Sequence, residues 1–298
     1  MSATIDKTID KYYSSSVRDY IDLLKPGVMS LVVFTAIAGI ILAGSDLHPF
    51  IMLVTVLSIA MGSGAAGAIN MWYDADIDSV MQRTQKRPIP KGKIRKDEVL
   101  AFGVIMSIIS VILLHAATNI TAAALLAAAI LFYVFVYTIL LKRRTPQNIV
   151  IGGAAGSFPP MIGWAAVTGD VSIAAIILFL IIFLWTPPHF WALAIYRNDD
   201  YKKAKIPMLP VTHGINNTKA QILIYTIILI AATYLPFLYI AELDLIYLIA
   251  ASIINLRFLS LAIKLYYNCT EKNSIQMFIY SIFYLFLLFG FLIIDKLL

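Results

Sequence analysis

The residues with the most chemistry in their spacing run Asn70-Met71-Trp72-Tyr73-Asp74-Ala75-Asp76-Ile77-Asp78. Asn70, Asp74 and Asp78 recur every fourth position. On a helix each such step turns the side chain by only about 40°, so all three line one face while Asp76 points away. Oxygen ligands of this kind suit Mg2+, which takes one or two carboxylates and fills its shell with water and substrate phosphate oxygens. A solvated helix end rich in acid is the plainer reading. Carboxylates at the end of an apolar span are costly unless compensated. The following Arg83, Lys86 and Arg87 would compensate them, or would bind a polyanion.

A second group is Trp185-Thr186-Pro187-Pro188-His189-Phe190-Trp191, followed by Tyr196, Arg197, Asn198, Asp199, Asp200, Lys202 and Lys203. Two prolines in an apolar helix predict a break or kink. Irregular backbone at membrane depth is tolerated where it lines a protein interior. His189, just past the prolines, is predicted to face such an interior; a histidine satisfying a freed carbonyl is the structural alternative. A third group sets Tyr137 and Lys142-Arg143-Arg144 beside Gly152, Gly153 and Gly156, whose small size permits close helix contact. Arg257, within a late span, either snorkels to the interface or pairs with an anionic group. His48 and His115 read as structural, and His213 is undecided.

The elements that must position these residues are apolar helices. The chain is 60% hydrophobic and only 13% charged, against about 45–50% and 25% in a soluble domain. Apolar runs long enough to cross a bilayer fall at Val28–Gly44, Pro49–Tyr73, Val99–His115, Ile120–Leu141, Ile149–Val167, Val171–Ile195, Ala220–Ala241, Leu245–Lys264 and Ile275–Ile294. They are too long and too uniform for the alternating strands of a barrel. The fold class is therefore all-α and integral to the membrane, with about nine spans around a central cavity opening at the cytoplasmic side. Residues 1–26 read as a solvated tail and 27–298 as one membrane domain. Loops 74–98 and 196–219 are its long basic loops.

Lysines and arginines gather in the tail and in the loops after the second, fourth, sixth and eighth spans. The loops around Asp46, Asn119, Asp170 and Glu242/Asp244 have none. The positive-inside rule places the basic loops and the N-terminus in the cytoplasm and the C-terminus outside. The net charge of +6 thus reflects topology, and no nucleic-acid partner is expected. A single cysteine, Cys269, excludes an internal disulfide or a thiolate cluster. Two acidic helix ends beneath a basic rim, over an apolar interior, suit a substrate with a diphosphate head and a long hydrocarbon tail.

Asn70-x-x-x-Asp74-x-x-x-Asp78, followed by Arg83-Thr84-x-Lys86-Arg87-Pro88, resembles the first aspartate-rich motif of the UbiA superfamily of intramembrane prenyltransferases. Leu24-Lys25-Pro26, the stretch Leu141 to Gly153, Pro159-Pro160 with Gly163-Trp164, Pro188-His189-Phe190-Trp191 and Pro207-Met208-Leu209-Pro210 are similar to its heme-modifying branch. The resemblance runs from about Lys25 to about Gly214. Quinone-forming members carry a second aspartate pair on the sixth helix; the equivalent positions here are Tyr196 and Asp200, which leaves the metal count open.

The resemblance implies transfer of farnesyl from farnesyl diphosphate to the 2-vinyl group of protoheme IX (heme B) with addition of water, giving heme O and diphosphate. It implies catalytic roles for Asn70, Asp74, Asp78 and Lys142. Diphosphate binding falls to Arg83, Lys86, Arg87, Arg197, Asp200, Lys202 and Lys203. Asp74, Asp78 and Asp200 would hold Mg2+, and His189, Trp191 and Tyr196 would touch heme. It places the chain in a bacterial inner membrane and raises an association with heme A synthase or terminal-oxidase assembly factors. The alternatives are a UbiA-type enzyme acting on an aromatic quinone precursor and a secondary transporter; the latter predicts polar groups near mid-membrane instead of at one edge.

Overall fold

A computed structural model describes residues 15–44 and 47–298. Lys7 and Lys11 of the predicted tail, with its Asp6 and Asp10, and the predicted outer loop residue Asp46 lie outside the described residues. Helices account for most of these described residues. In chain order they are α1 (Val17–Leu23), α2 (Pro26–Leu42), α3 (Pro49–Tyr73), α4 (Ala75–Val80), α5 (Lys96–Ala117), α6 (Ile120–Leu131, continued as a π-helix over Phe132–Leu141) and α7 (Asn148–Gly152). They continue with α8 (Ala154–Thr168), α9 (Ile173–Tyr196), α10 (Asn198–Lys203), α11 (Leu209–Thr212), α12 (Gly214–Ala232), α13 (Leu235–Tyr239), α14 (Leu245–Tyr267) and α15 (Glu271–Leu297).

Among the described residues, eight helical stretches are long and apolar enough to cross a membrane, and α1 with α2, bent by 56°, makes a ninth. The predicted spans therefore stand, with ends shifted by a few residues. The expectation of a solvated tail needs correcting. Residues 17–23 form α1, opened by a capping box in which Ser16 and Asp19 exchange hydrogen bonds, and Leu23 is fully buried against Ala68, Met71 and Val99. Lys25, in the left-handed region at φ 54°, turns the chain from α1 into α2, and Pro26 suits the first helical position that follows. The four spans that start away from the basic loops, α3, α6, α9 and α14, are capped by His48, Asn119, Ser172 and Asp244. His48 thereby has the structural role expected of it.

The spans pack in two linked groups. One joins α2, α3, α5, α6 and α8, with Ile59, Ile69, Leu114, Leu126 and Ile162 buried between them. The other joins α9, α12, α14 and α15 around Leu178, Ile181, Tyr247, Phe258 and Leu288. Helix α9 is buried along most of its length and touches α8, α12 and α15. Outward positions such as Ile105, Ile108 and Ile112 are exposed aliphatics suited to lipid. With no hydrophobic push between helices in lipid, close backbone approach holds spans together. The α2–α8 crossing shows it: a Cβ added to Gly39 would lie 2.0 Å from the Pro160 carbonyl oxygen, and one on Gly163 2.2 Å from that of Ala36.

The predicted break of the sixth span is also corrected. α9 is one continuous helix with Pro187 and Pro188 inside it. Proline removes one donor each, and a buried apolar helix packed on three sides stays helical through them despite the loss.

Candidate active site

Asp74 sits where α3 hands over to α4, with no exposed surface. The helix does not run straight through it. Asp74 is the C-cap of α3, yet its N–H donates to the Asn70 carbonyl at 2.9 Å and its own carbonyl accepts from the Asp78 N–H at 2.8 Å. The i to i+4 ladder therefore continues, and Asn70, Asp74 and Asp78 are all buried as the spacing predicts. Asp76 is exposed, on the other side.

Cations reach these carboxylates from a different helix. Lys142 forms an ion pair with Asp74 Oδ2, and Arg143 Nη2 donates to Asp74 Oδ1 at 3.2 Å. Arg143 also grips Asp76 bidentately at 2.7 and 2.8 Å, donates to the Tyr73 carbonyl at 3.0 Å and lies 4.7 Å from the Tyr73 ring centre. Its guanidinium holds the Asp76 carboxyl below the usual carboxylate range. Asn70 Nδ2 donates to Asp74 Oδ2 at 2.8 Å and to Thr138 Oγ1 at 3.2 Å, while Lys25 Nζ donates to Asn70 Oδ1 at 3.1 Å. Arg87 Nη1 pairs with Asp78 Oδ2 at 2.6 Å. Thr84, fully enclosed, ties the loop back by donating to the Asp78 carbonyl at 3.0 Å.

The π-helix that ends α6 sets this register. Thr138 Oγ1 donates to the Tyr133 carbonyl and the Lys142 N–H to the Tyr137 carbonyl, each five residues back. π-helical segments concentrate at functional sites. The Tyr137 ring fits against Gly152, where a Cβ would come within 2.2 Å of it, and Asn148 Nδ2 donates to the Lys142 carbonyl. Gly152 is thus a packing residue.

The second acidic end mirrors the first. α9 ends at Arg197 (φ −103°, ψ 25°) much as α3 ends at Asp74 (φ −92°, ψ 14°), and a six-residue helix follows each. Matching the two caps pairs Asp74 with Arg197 and Asp78 with Tyr201, one residue beyond the Tyr196 and Asp200 that the resemblance implied. The two ends meet through Arg83, whose Nη2 donates to the Tyr201 hydroxyl at 3.1 Å. Burial pushes the Tyr201 phenol above its usual range. Asp200 is buried, and its Oδ2 has no hydrogen-bond partner.

Other predicted residues spread further. Lys202 and Lys203 are exposed, Lys202 beside Asp199 at 3.7 Å. Lys86 is exposed too, and Arg197 lies over its own Tyr196 ring at 4.4 Å. His189 is buried within α9, its Nδ1 2.6 Å from Ser281 Oγ. Trp191 is not brought to it. Two residues on, about 200° round the helix, its indole packs edge-on against Tyr225 of α12. His213 and Arg257 are exposed and stand apart from this network.

Sequence reasoning gave no site role to Lys25, Thr138, Arg143 or Tyr201. Lys25 was visible as a lysine before a span-opening proline. Choosing Arg143 within Lys142-Arg143-Arg144 requires the π-helical register. Asp76 reaches the site only through Arg143, so the two should be coupled. Arg143→Ala should raise the KM for the diphosphate substrate about five-fold, near 1 kcal/mol for a partly exposed pair. Adding Asp76→Ala should change it little further; steady-state kinetics on the two single variants and the double variant would read this directly.

Among the described residues no three acidic, histidine or cysteine side chains converge as a ready metal cage. The predicted trio Asp74, Asp78 and Asp200 is therefore not gathered at one point. The donor chemistry still fits Mg2+. It is all carboxylate and amide oxygen, one buried oxygen of Asp200 lacks a partner, and Mg2+ needs only one or two protein carboxylates when phosphate supplies the rest.

Over residues 32–289 the chain matches the UbiA prenyltransferase family. It is 52% identical to the protoheme IX farnesyltransferase of Rickettsia bellii, over 99% of this chain and 97% of that protein. It is 53% identical to that of Parvibaculum lavamentivorans, over 95% and 90%. Among solved structures it resembles a digeranylgeranylglyceryl phosphate synthase (18% identity, TM-score 0.78, 94% of this chain and 98% of that one). It also resembles a UbiA homolog from Archaeoglobus fulgidus bound to GPP and Mg2+ (18% identity, TM-score 0.64, 92% and 99%). At that identity the structures speak for the fold, and the sequence relatives speak for the family: this multi-span chain, with its buried aspartates and converging cations, belongs to the UbiA prenyltransferase family.

Proposed function

We infer that this chain transfers the farnesyl group of farnesyl diphosphate to the 2-vinyl group of heme B, with addition of water, to give heme O and diphosphate. The observation that carries it is the fully buried Asp74 shared by Asn70, Lys142 and Arg143, in a chain half identical over its whole length to protoheme IX farnesyltransferases.

Asp74 and Asp78, with Asn70 hydrogen-bonded to Asp74, would hold Mg2+ through one or two carboxylates, and the unpartnered buried oxygen of Asp200 would stand as a separate donor. When bound, Mg2+ supplies charge neutralisation on the leaving diphosphate. Lys142, Arg143 and Arg87 are paired with carboxylates at rest, so they are already placed to share charge with an arriving phosphate. Arg83 and Arg197 line the approach, and Lys86, Lys202 and Lys203 form its outer rim. Their preorganised charge stabilises the departing diphosphate as the allylic C–O bond breaks. The vinyl carbon of heme then forms the new C–C bond. Water adds to the resulting porphyrin-stabilised cation and loses a proton, which leaves a hydroxyethyl farnesyl group. Enclosure among apolar helices keeps water from the allylic cation until the C–C bond is made. His189 is the side chain assigned to heme, with Tyr196 nearer the rim. Trp191, turned toward α12, would act on heme only through packing.

The basic loops and N-terminus face the cytoplasm of a bacterial inner membrane and the C-terminus faces the periplasm, as the lysine and arginine asymmetry supports. An association with heme A synthase or terminal-oxidase assembly factors would take up the poorly soluble product. Membranes given labelled farnesyl diphosphate together with heme B and an aromatic quinone precursor test the acceptor. Label should enter the heme, and EDTA should abolish transfer until Mg2+ is restored. Label found only in the aromatic compound would overturn this reading.

A further inference from the structure

We propose that Ser281 is a positioning residue that holds His189 in the single tautomer able to bind the iron of the porphyrin substrate. The proposal rests on the heme reading above and adds a residue from α15 to the site.

The hydrogen bonds fix the proton. Ser281 Oγ lies 2.5 Å from the Phe278 carbonyl oxygen and 2.6 Å from His189 Nδ1. Two oxygens that close require a proton between them, and the carbonyl has none to give. The single hydroxyl proton of Ser281 is therefore donated to Phe278, and Oγ can only accept from His189. Nδ1 carries the ring proton, and Nε2 carries the free lone pair. Nε2 makes no hydrogen bond among the described residues. Unlike the indole nitrogen of Trp191, it is not sealed from its surroundings.

The ring is also held in place. Trp185, one turn earlier on α9, stacks on it at 4.3 Å and 20°; Phe278 lies at 4.8 Å and 31°, and Phe190 meets it edge-on at 4.9 Å. Trp185 Nε1 donates to the Ser281 carbonyl at 2.8 Å, so the residue that accepts from His189 is anchored in turn. A ring clasped between aromatic neighbours is approached along its edge. That is the direction of the Nε2 lone pair and of a bond to iron. Metal-binding histidines almost always donate their other N–H to such an acceptor, and losing it typically costs about 10–100-fold in metal affinity.

The test titrates purified protein in detergent with ferric heme B and, separately, with iron-free protoporphyrin IX. Heme binding is read by absorption and electron paramagnetic resonance. Ser281→Thr and Ser281→Val have nearly the same shape and differ by the hydroxyl, so a packing fault common to both cancels. The threonine variant should keep the histidine-ligated spectrum of the wild type. The valine and alanine variants should lose that signature and bind ferric heme about 10–100-fold more weakly, with unchanged affinity for iron-free protoporphyrin. The proposal is overturned if valine and threonine behave alike, or if iron-bearing and iron-free porphyrin weaken together. Wild-type farnesyl transfer, assayed on the same preparation, separates the two readings. No transfer alongside intact histidine ligation would sink the function and leave the role of Ser281 standing.

Discussion

Asp74→Asn should leave the protein folded and lower kcat by about 10²–10³-fold, the loss typical of removing one preorganised group that stabilises transition-state charge. The side chain keeps its size, and its amide oxygen still accepts from Asn70. What disappears is the negative charge that Lys142 and Arg143 share. Asp74→Ala adds a second penalty. It also removes the oxygens that accept from Asn70 and Lys142, so Lys142 is left with neither counter-ion nor acceptor in a mostly enclosed site while Arg143 keeps Asp76, and an unpaired charge of this kind costs about 3 kcal/mol. The double variant Asp74→Ala with Lys142→Met should then recover much of the lost thermal stability and none of the activity. If the double variant regained turnover, Asp74 would be a structural counter-ion and nothing more.

The largest expected effect on stability lies elsewhere, at the α2–α8 crossing. Gly163→Val would put a branched side chain where even a Cβ lies 2.2 Å from the Ala36 carbonyl oxygen and 3.2 Å from the Ile40 nitrogen. Overpacking usually costs about 1–3 kcal/mol when side chains can shift. Here the obstacle is backbone, so the helices must part, and the cost should reach the top of that range or beyond. A fall in melting temperature of about 10 °C is expected, read by size-exclusion chromatography after heating in detergent. Gly156→Ala is the control: nothing lies within 4 Å of an added Cβ there, so it should melt like wild type.

Much of this architecture is legible in the residues. The bounds of α3 fall where the apolar run begins and ends, since Pro49 can open a helix and Asp74 closes this one. The α3 trio is legible as well, because a spacing of four survives the cap at Asp74. Other features depend on packing that composition does not encode. α1 is too short and too charged to announce itself, and its order comes from the Ser16–Asp19 box and the burial of Leu23. The π-helical end of α6 has the same apolar composition as the α-helix before it, so the register that brings Arg143 rather than Arg144 to Asp74 is invisible, although the resemblance had already picked out Lys142. Pro187 and Pro188 carry the usual signal for a break, and the surrounding helices overrule it. Trp191 shares a motif with His189 but not a helix face. Ser281 lies 92 residues from His189, and no local pattern links them.

The most direct test of the central claim uses purified protein with heme B, farnesyl diphosphate and Mg2+, followed by extraction of the hemes and mass spectrometry. Wild type should yield a heme heavier by one farnesyl group and one hydroxyl group, with release of diphosphate, and Asp74→Asn should yield almost none. Unmodified heme B from the wild type, or equal product from the two proteins, would contradict the account.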